Sequence, residues 1–285
     1  MTITTFERRF DENKKSLMYH YCDETVLKSI LENKKIWLSD IYKMNDSSEF
    51  EGARKIFLKV LKKNKHLFEQ EFRIYIISSV FSAKEEVLPL IACFSKNGDL
   101  LSQWRAYTND AKGFSIGFSL QLVHQGLGVN LNSIIYEDSI QCDIILETLK
   151  ELHSNWLMLD KDYQAIDFYA KGFSIDLHYF KNPSFFEEQE IRVTRLVVKD
   201  ESDNFIDVGG NSELKKIIPL PILARQRKGE TVQYIELPID LPTQNVIKEI
   251  IIGPKNTMRI KDLKDLLSSL GFSDIKIKKS KSTYR

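Results

Sequence analysis

The stretch that most constrains the fold is residues 188–197, in which charged and apolar side chains alternate. A period of two is typical of a β-strand with one polar and one apolar face. It places Glu188, Glu190 and Arg192 together, opposite Ile191. Two carboxylates on one face suit chemistry on a sugar, because one stabilises an oxocarbenium-like transition state while the other positions or deprotonates the attacking group. An exposed strand on which Glu190 merely pairs with Arg192 explains the same spacing.

Composition places the chain among soluble globular proteins with a large core. Of its 285 residues, 42% are hydrophobic and 28% are charged, and the net charge of +1 gives no overall field towards nucleic acid or membrane. The three cysteines lie far apart, which predicts free thiols in a reducing cytoplasm. The N-terminus predicts no signal peptide, and no stretch approaches the roughly 18 apolar residues of a membrane span. We therefore expect a cytoplasmic protein without membrane contact.

The order of elements predicts a single α+β domain over residues 1–285. The chain opens strand–helix–strand, with His20 on the first strand and Ser39 at the end of the second. We predict a central, mainly antiparallel sheet with a helical insertion at residues 138–180. The predicted helices cover about residues 23–32, 51–64, 66–82, 100–107, 138–179 and 260–270. The predicted strands are 17–22, 35–39, 90–95, 113–118, 134–136, 188–197, 205–208, 215–219, 231–237, 246–252 and 275–277.

Further candidate site residues lie on strands and loops upstream. His20 stands between two tyrosines, including Tyr21, and aromatic rings beside a hydrogen-bonding group suit a ring-bearing ligand. A lone histidine in an apolar strand is more often a core residue. Two polar segments are further candidates: the first contains Asn45, Asp46 and Glu49, and the second contains Ser95, Trp104, Arg105 and Tyr107. Each segment suits either the wall of a pocket or an ordinary turn with a helix cap.

Several common site motifs are missing from the sequence. No CxxC or HExxH spacing occurs, so we predict no zinc site. No GxGxxG or GxxxxGK[ST] motif occurs, so no phosphate-binding glycine loop is predicted.

Taken together, the elements resemble the bacterial and phage domain-of-unknown-function family 2971, from Tyr19 to the C-terminus. The resemblance is carried, in order, by residues 19–21, 31–39, 45–46 with 49, 93–95, 104 with 107, 113–118, 188–192, 250–254 and 280–285. The Glu-x-Glu-x-Arg and Ile-Ile-Gly-Pro elements are the most specific. The family name implies no activity.

A second, weaker resemblance is to the ADP-ribosyltransferase superfamily and implies its fold. It implies that His20 holds the nicotinamide-side ribose of NAD and that Ser39 or Ser95 supports the pocket. Glu190 would bond the ribose 2′-hydroxyl while nicotinamide leaves, and Glu188 would orient the acceptor or water. The analogy requires His20 and Glu190 to line one cleft from neighbouring strands, on one side of the sheet.

The resemblance therefore implies an enzyme that consumes NAD as its substrate, either an ADP-ribosyltransferase or an NAD glycohydrolase. The acceptor would be a protein or a nucleic acid, and a toxin or anti-phage role would fit the family's setting. The residues expected to contact NAD are His20, Tyr21, Ser39, Asn45, Asp46, Ser95, Trp104, Arg105, Tyr107 and Arg192. Two alternatives stay open: a non-catalytic module that binds a nucleotide or protein, and a divalent-metal nuclease or hydrolase using Asp46, Glu49, Glu188 and Glu190.

Overall fold

A computed structural model describes residues 16–44, 48–242 and 244–284, with only the backbone of residues 48–50. The described residues form an α+β fold around one mixed, largely antiparallel open sheet. Its strands are β1 (Leu17–Cys22), β2 (Lys35–Asp40), β3 (Val87–Ser95), β4 (Phe114–Ser119), β5 (Asn130–Ser133), β6 (Glu190–Lys199), β7 (Phe205–Asp207), β8 (Leu223–Arg227), β9 (Glu230–Pro238), β10 (Ile247–Ile252) and β11 (Lys276–Lys279).

Eight α-helices accompany the sheet in the described part of the chain. They are α1 (Glu24–Asn33), α2 (Ser48–Lys63), α3 (Gln70–Ser82), α4 (Leu101–Tyr107), α5 (Leu120–Gly126), α6 (Asp138–Met158), α7 (Tyr163–Asp176) and α8 (Ile260–Ser269). The predicted helix at 138–179 is two helices, because Asp160 and Lys161 adopt the left-handed conformation between them.

Strand β3 organises the sheet because three strands pair with it. Strand β6 pairs with β3 along its whole length, from Val87 opposite Val198 to Ser95 opposite Glu190. A strand has only two hydrogen-bonding edges, so β1 and β2 must share the other edge of β3. Strand β1 takes the end at Ser95, and β2 pairs near Ile91. Between them, Ala92–Phe94 of β3 face a gap in the sheet.

The two faces of the sheet differ sharply, and we call them the apolar face and the polar face. The alternation in β6 sends Ile191 and Val193 to the apolar face, where α1, α5 and α8 complete the main hydrophobic core. A second core joins α2, α3, α6 and α7. The segment that leaves α7 runs over the polar face, where the Tyr179 hydroxyl donates to Thr194 at 3.1 Å. The predicted insertion is therefore part of a larger helical layer.

The prediction that Glu188 lies on the same strand face as Glu190 is wrong. Glu188 ends a 3-10 helix, Pro183–Glu188, which begins at a proline whose fixed φ suits the first helical position. Gln189 then takes a left-handed conformation with φ 47°, and the strand starts only at Glu190. Nor is this face solvated, because Glu190, Arg192 and Thr194 are all buried.

Two other predicted strands differ from the structure, and two elements were missed. Residues 215–219 form no strand, because their neighbourhood bonds to side chains: the carbonyl of Ile218 accepts from Arg195. Residues 134–136 contribute only one isolated bridge, from Ile135 to Phe180, and the strand lies just before them as β5. Helix α5 and strand β8 were not predicted at all.

A buried ion pair holds the β6–β7 hairpin to the following segment. Arg195 donates from Nε to Asp207 Oδ1 at 2.8 Å, and its Nη2 lies 2.7 Å from Oδ2. Both side chains are almost fully buried. Asp207 also accepts from the backbone N–H groups of Gly209 and Leu220, so its carboxylate is fully used.

We expect Asp207→Asn to lower the free energy of unfolding by about 3–5 kcal/mol, because Arg195 would keep a buried, uncompensated charge. Urea denaturation followed by circular dichroism measures this. The matched control is Asp203→Asn, since Asp203 pairs with Lys199 at an exposed site and its loss should change stability by less than about 0.5 kcal/mol. Equal effects in both variants would contradict the assignment.

Candidate functional site

A cleft of about 1070 Å³ lies beside the gap in the sheet. Strands β1, β2 and β3 form its floor, and β8 and the segment after α7 form its walls. It opens mainly on the polar face. The gap lets residues from the other side reach it, including Ile30 of α1. The cleft exists because β1 and β2 share an edge of β3 without meeting.

Glu190 lies at one end of this cleft inside a network of buried charges. Arg192 donates from Nε to Glu190 Oε1 at 2.6 Å and from Nη2 to Oε2 at 3.3 Å. Lys181 Nζ donates to Glu190 Oε2 at 3.1 Å and to Glu188 Oε2 at 2.6 Å. Arg192 also donates from Nη1 to the carbonyl of His178. The two carboxylates predicted from the sequence are thus brought together, through Lys181 rather than through strand alternation.

The charge of Glu190 is stabilised by its neighbours. Burial by itself raises the pKa of this carboxyl, but the charges of Arg192 and Lys181 and the hydrogen bond from Arg192 outweigh burial and lower the pKa to about 2. Glu190 is therefore ionised at neutral pH. The same setting raises the pKa of the Cys93 thiol well above its ordinary value, first through burial and then through the charge of Glu190.

The backbone of Glu190 is held as firmly as its side chain. Its N–H donates to the Tyr136 hydroxyl at 2.9 Å, and its carbonyl accepts from Ile134 at 3.0 Å. Ser95, opposite Glu190 in the sheet, donates from its hydroxyl to the carbonyl of Glu188 at 2.8 Å. Ser95 therefore fixes the turn that carries Glu188 to the cleft.

Glu188 is the more accessible of the two acids. Its side chain is 21% exposed, against 5% for Glu190. Lys181 lies over the Phe185 ring at 4.7 Å, which helps to hold its ammonium group in place. Tyr107 also lines the cleft, and its pKa is raised to about 12 by burial and then by the charge of Glu188.

His20 lines the same cleft but comes from the opposite face of the sheet. Its cross-strand partner is Ile116 of the apolar face, and its ring packs against Phe94 at 5.5 Å. Nδ1 donates to the carbonyl of Cys93 at 3.3 Å, across the gap, and burial lowers the pKa of the ring. Strands β1 and β6 are not neighbours, since β3 lies between them. His20 and Glu190 therefore share one cleft, but the two further requirements of the ADP-ribosyltransferase analogy, neighbouring strands and one side of the sheet, are not met.

Other predicted residues divide into those inside and outside the cleft. Tyr21 and Ser39 line it. Trp104 does not: it is fully buried beneath Tyr21 and donates to Asp99 at 2.7 Å. Arg105 turns towards the Tyr284 ring instead. Asn45 and Asp46, and the side chain of Glu49, lie outside the described residues.

Several residues of the cleft were not found from the sequence. Lys181 and His178 carry no local signal, because each follows a helix in an otherwise apolar stretch. Tyr42 lies in a 3-10 turn, Ile41–Lys43, directly after β2, and its hydroxyl is 3.2 Å from Nε2 of His178. Arg225 and Arg227 alternate along β8, a period-two pattern that the sequence did offer.

The cleft carries more positive than negative charge. Among its described lining residues, three are acidic: Glu51, Glu188 and Glu190. Seven are basic: Lys35, Arg54, Lys84, Lys181, Arg192, Arg225 and Arg227. Aromatic rings stand between them, including Trp37, which keeps 44% of its surface exposed. This composition suits an anionic ligand with planar rings.

The described residues contain no cluster of three or more His, Cys, Asp or Glu side chains arranged to hold a metal ion. Of the four acids proposed for a metal-dependent hydrolase, only Glu188 and Glu190 lie in the described part of the cleft. None of the helices described is both long enough and apolar enough to cross a membrane.

The comparison with protein families identifies the central part of the chain. Residues 103–193 match the family described as "Protein of unknown function (DUF2971)". The resemblance to this family is thus confirmed over a segment that runs from α4 into β6 and includes Glu188, Glu190 and Arg192. No curated protein and no solved structure matches the chain significantly. His20, Ser39 and β8 lie outside the matched DUF2971 segment.

We expect Glu190→Gln to lower the free energy of unfolding at pH 7 by about 3–5 kcal/mol, because the buried Arg192 and Lys181 lose the carboxylate charge that lies between them. The pKa of Glu190 is lower in the folded chain than its ordinary value of 4.5. Its contribution is therefore complete above about pH 4.5 and is lost as the pH falls towards 2. The stability gap between wild type and variant should shrink over that window, as measured by urea denaturation.

The control for this measurement is Glu187→Gln, at an exposed neighbouring position, which should change stability by less than about 0.5 kcal/mol. A gap that stays constant from pH 6 to pH 2.5 would show that Glu190 does not gain its stability from Arg192 and Lys181.

Proposed function

We propose that the cleft binds a phosphate-bearing nucleotide and that the protein consumes NAD there, as an ADP-ribosyltransferase or NAD glycohydrolase. The observation that carries the proposal is the joining of a cationic, ring-lined cleft with two carboxyl groups at one end, Glu188 and the ionised Glu190. NAD offers two phosphates for the cations and planar rings for the aromatic side chains. It also has a ribose that becomes positive when nicotinamide leaves.

The proposed chemistry needs few groups. The bond between C1′ of the ribose and the nicotinamide nitrogen breaks, and the electron pair leaves with nicotinamide. Glu190 stabilises the positive charge that develops on the sugar, because its fixed negative charge interacts more strongly with the transition state than with the ground state. Glu188, the more accessible acid, receives the proton of the water or acceptor that bonds to C1′. An ADP-ribosyltransferase-like fold is part of this proposal.

A second candidate is a non-catalytic module that binds a nucleotide or a protein. Two observations favour it. Both oxygens of Glu190 already accept hydrogen bonds from Arg192 and Lys181, and a carboxylate has about four acceptor positions in all. His20 also approaches the cleft from the opposite face of the sheet. On this view Glu190 holds the wall of a binding site and reacts with nothing.

The test is to incubate the folded protein with NAD and to follow free nicotinamide by chromatography, with and without cell extract as a source of acceptors. We expect release by the wild type, and a rate at least about 100-fold lower for Glu190→Gln. Glu187→Gln is the matched control and should keep the wild-type rate. Because Glu190→Gln weakens folding, its rate is compared only below its measured melting temperature.

The outcomes separate the two candidates. Absence of nicotinamide release under all conditions, together with measurable NAD binding, would favour the binding module. Release that survives in Glu190→Gln would retain the activity but reject Glu190 as its carboxylate. A toxin or anti-phage role follows only from the family resemblance, and it predicts that expression slows bacterial growth in a Glu190-dependent manner.

A further inference from the structure

The charges of the cleft are not balanced evenly along its length. At the Glu190 end, two acids, Glu188 and Glu190, meet two cations, Lys181 and Arg192, so the charges there cancel. The excess positive charge therefore lies elsewhere in the cleft. On the wall formed by β2, β8 and β9, the structure offers one cation in an unusual setting, Arg225.

The Arg225 guanidinium lies over two aromatic rings. It lies 4.8 Å from the centre of the Trp37 ring and 5.5 Å from that of Tyr234, and the two rings are themselves 4.6 Å apart. Nη2 donates to the Ser39 hydroxyl at 3.2 Å. These three contacts hold the guanidinium in place, so less conformational freedom is lost when a ligand binds.

Among the residues that the structure describes, no acidic side chain neutralises this arginine. Two lysines near the same wall are paired, Lys35 with Glu236 at 2.8 Å and Lys43 with Glu230 at 3.1 Å. In the part of the chain that the structure describes, no carboxylate forms an ion pair with Arg225, and its Nε has no hydrogen-bond partner. Burial and the nearby charge of Arg227 lower its pKa, whereas the negative charge of a bound anion would favour the charged guanidinium.

We propose that Arg225 is the phosphate-binding residue of the cleft, and that the phosphates of the bound nucleotide lie at the edge of its guanidinium on the Trp37 wall. A planar guanidinium held over these rings can present parallel N–H groups to phosphate oxygens, which a lysine cannot do. This assignment rests on the proposed function only for the identity of the nucleotide. The ribose that reacts would then extend from Arg225 towards Glu190.

The alternative is that Arg225 only covers Trp37 and Tyr234. A covering residue contributes through its apolar stem and its stacking, so it would matter equally for ligands with and without phosphate. A phosphate-binding residue matters only for ligands that carry phosphate. The comparison of ADP with adenosine therefore distinguishes the two roles.

The experiment measures binding of ADP, adenosine and inorganic pyrophosphate to the full chain by isothermal titration calorimetry. For Arg225→Gln we expect at least about tenfold weaker binding of ADP and pyrophosphate, and less than about twofold change for adenosine. Arg225→Lys should recover only part of the loss. The control is Arg259→Gln, because Arg259 pairs with Asp262 at α8, away from the cleft.

A second measurement needs no variant and so does not depend on folding of the mutants. Phenylglyoxal modifies arginine side chains, and mass spectrometry of the digested wild type reports each one. We expect pyrophosphate to slow the modification of Arg225 several-fold and to leave Arg259 unaffected.

Failure of ADP to bind the wild type, equal losses for ADP and adenosine in Arg225→Gln, or no protection of Arg225 would each overturn the assignment. The proposed function is judged separately by nicotinamide release. ADP binding that depends on Arg225 without any release would keep this subsite and reject NAD consumption. Nicotinamide release that is unchanged in Arg225→Gln would keep NAD consumption and reject Arg225 as the phosphate-binding residue.

Discussion

The structure depends on how the two edges of β3 are used. Strand β6 pairs with one edge of β3 over the full length of β3. The Ile and Val residues of β6 pack into the main core and so stabilise this pairing. Only one edge is then left for both β1 and β2. They pair with β3 at different positions along its length. The gap between them leaves an opening in the sheet, and the cleft forms there. A buried carbonyl in that gap needs a hydrogen-bond donor, and His20 supplies one to Cys93.

This arrangement also accounts for the buried charges. Strand β6 begins at Glu190. The first residues of its polar face are covered by the segment that follows α7 and are therefore buried away from water. An isolated carboxylate there would be strongly disfavoured, and Arg192 and Lys181 make it tolerable. The negative charge of Glu190 thus stabilises the fold by pairing with buried cations, independently of any reaction in the cleft. The charge left over in the cleft is positive and lies towards β8.

The sequence predicted more of the fold than of the site. Alternation in β6 identified the strand and its core-facing residues Ile191 and Val193, since burial of one face depends only on local periodicity. It failed at Glu188, because a proline-initiated 3-10 helix and a left-handed Gln189 interrupt the strand pattern. It also failed at residues 215–219, where the backbone bonds to side chains distant in sequence, which no local pattern reveals.

The sequence by itself determined that the chain folds as an α+β protein, that Glu190 and Arg192 share one strand face, and that residues 188–192 resemble family 2971. These properties follow from spacing along the chain, which side-chain alternation converts directly into geometry. Only the tertiary structure decided that Lys181 joins the two acids and that His20 reaches the cleft from the opposite face. It also decided that Arg225 lies over Trp37 and Tyr234, with no acidic partner among the described residues. Those relations depend on how β1, β2 and β6 compete for the edges of β3, and this competition is set by long-range pairing.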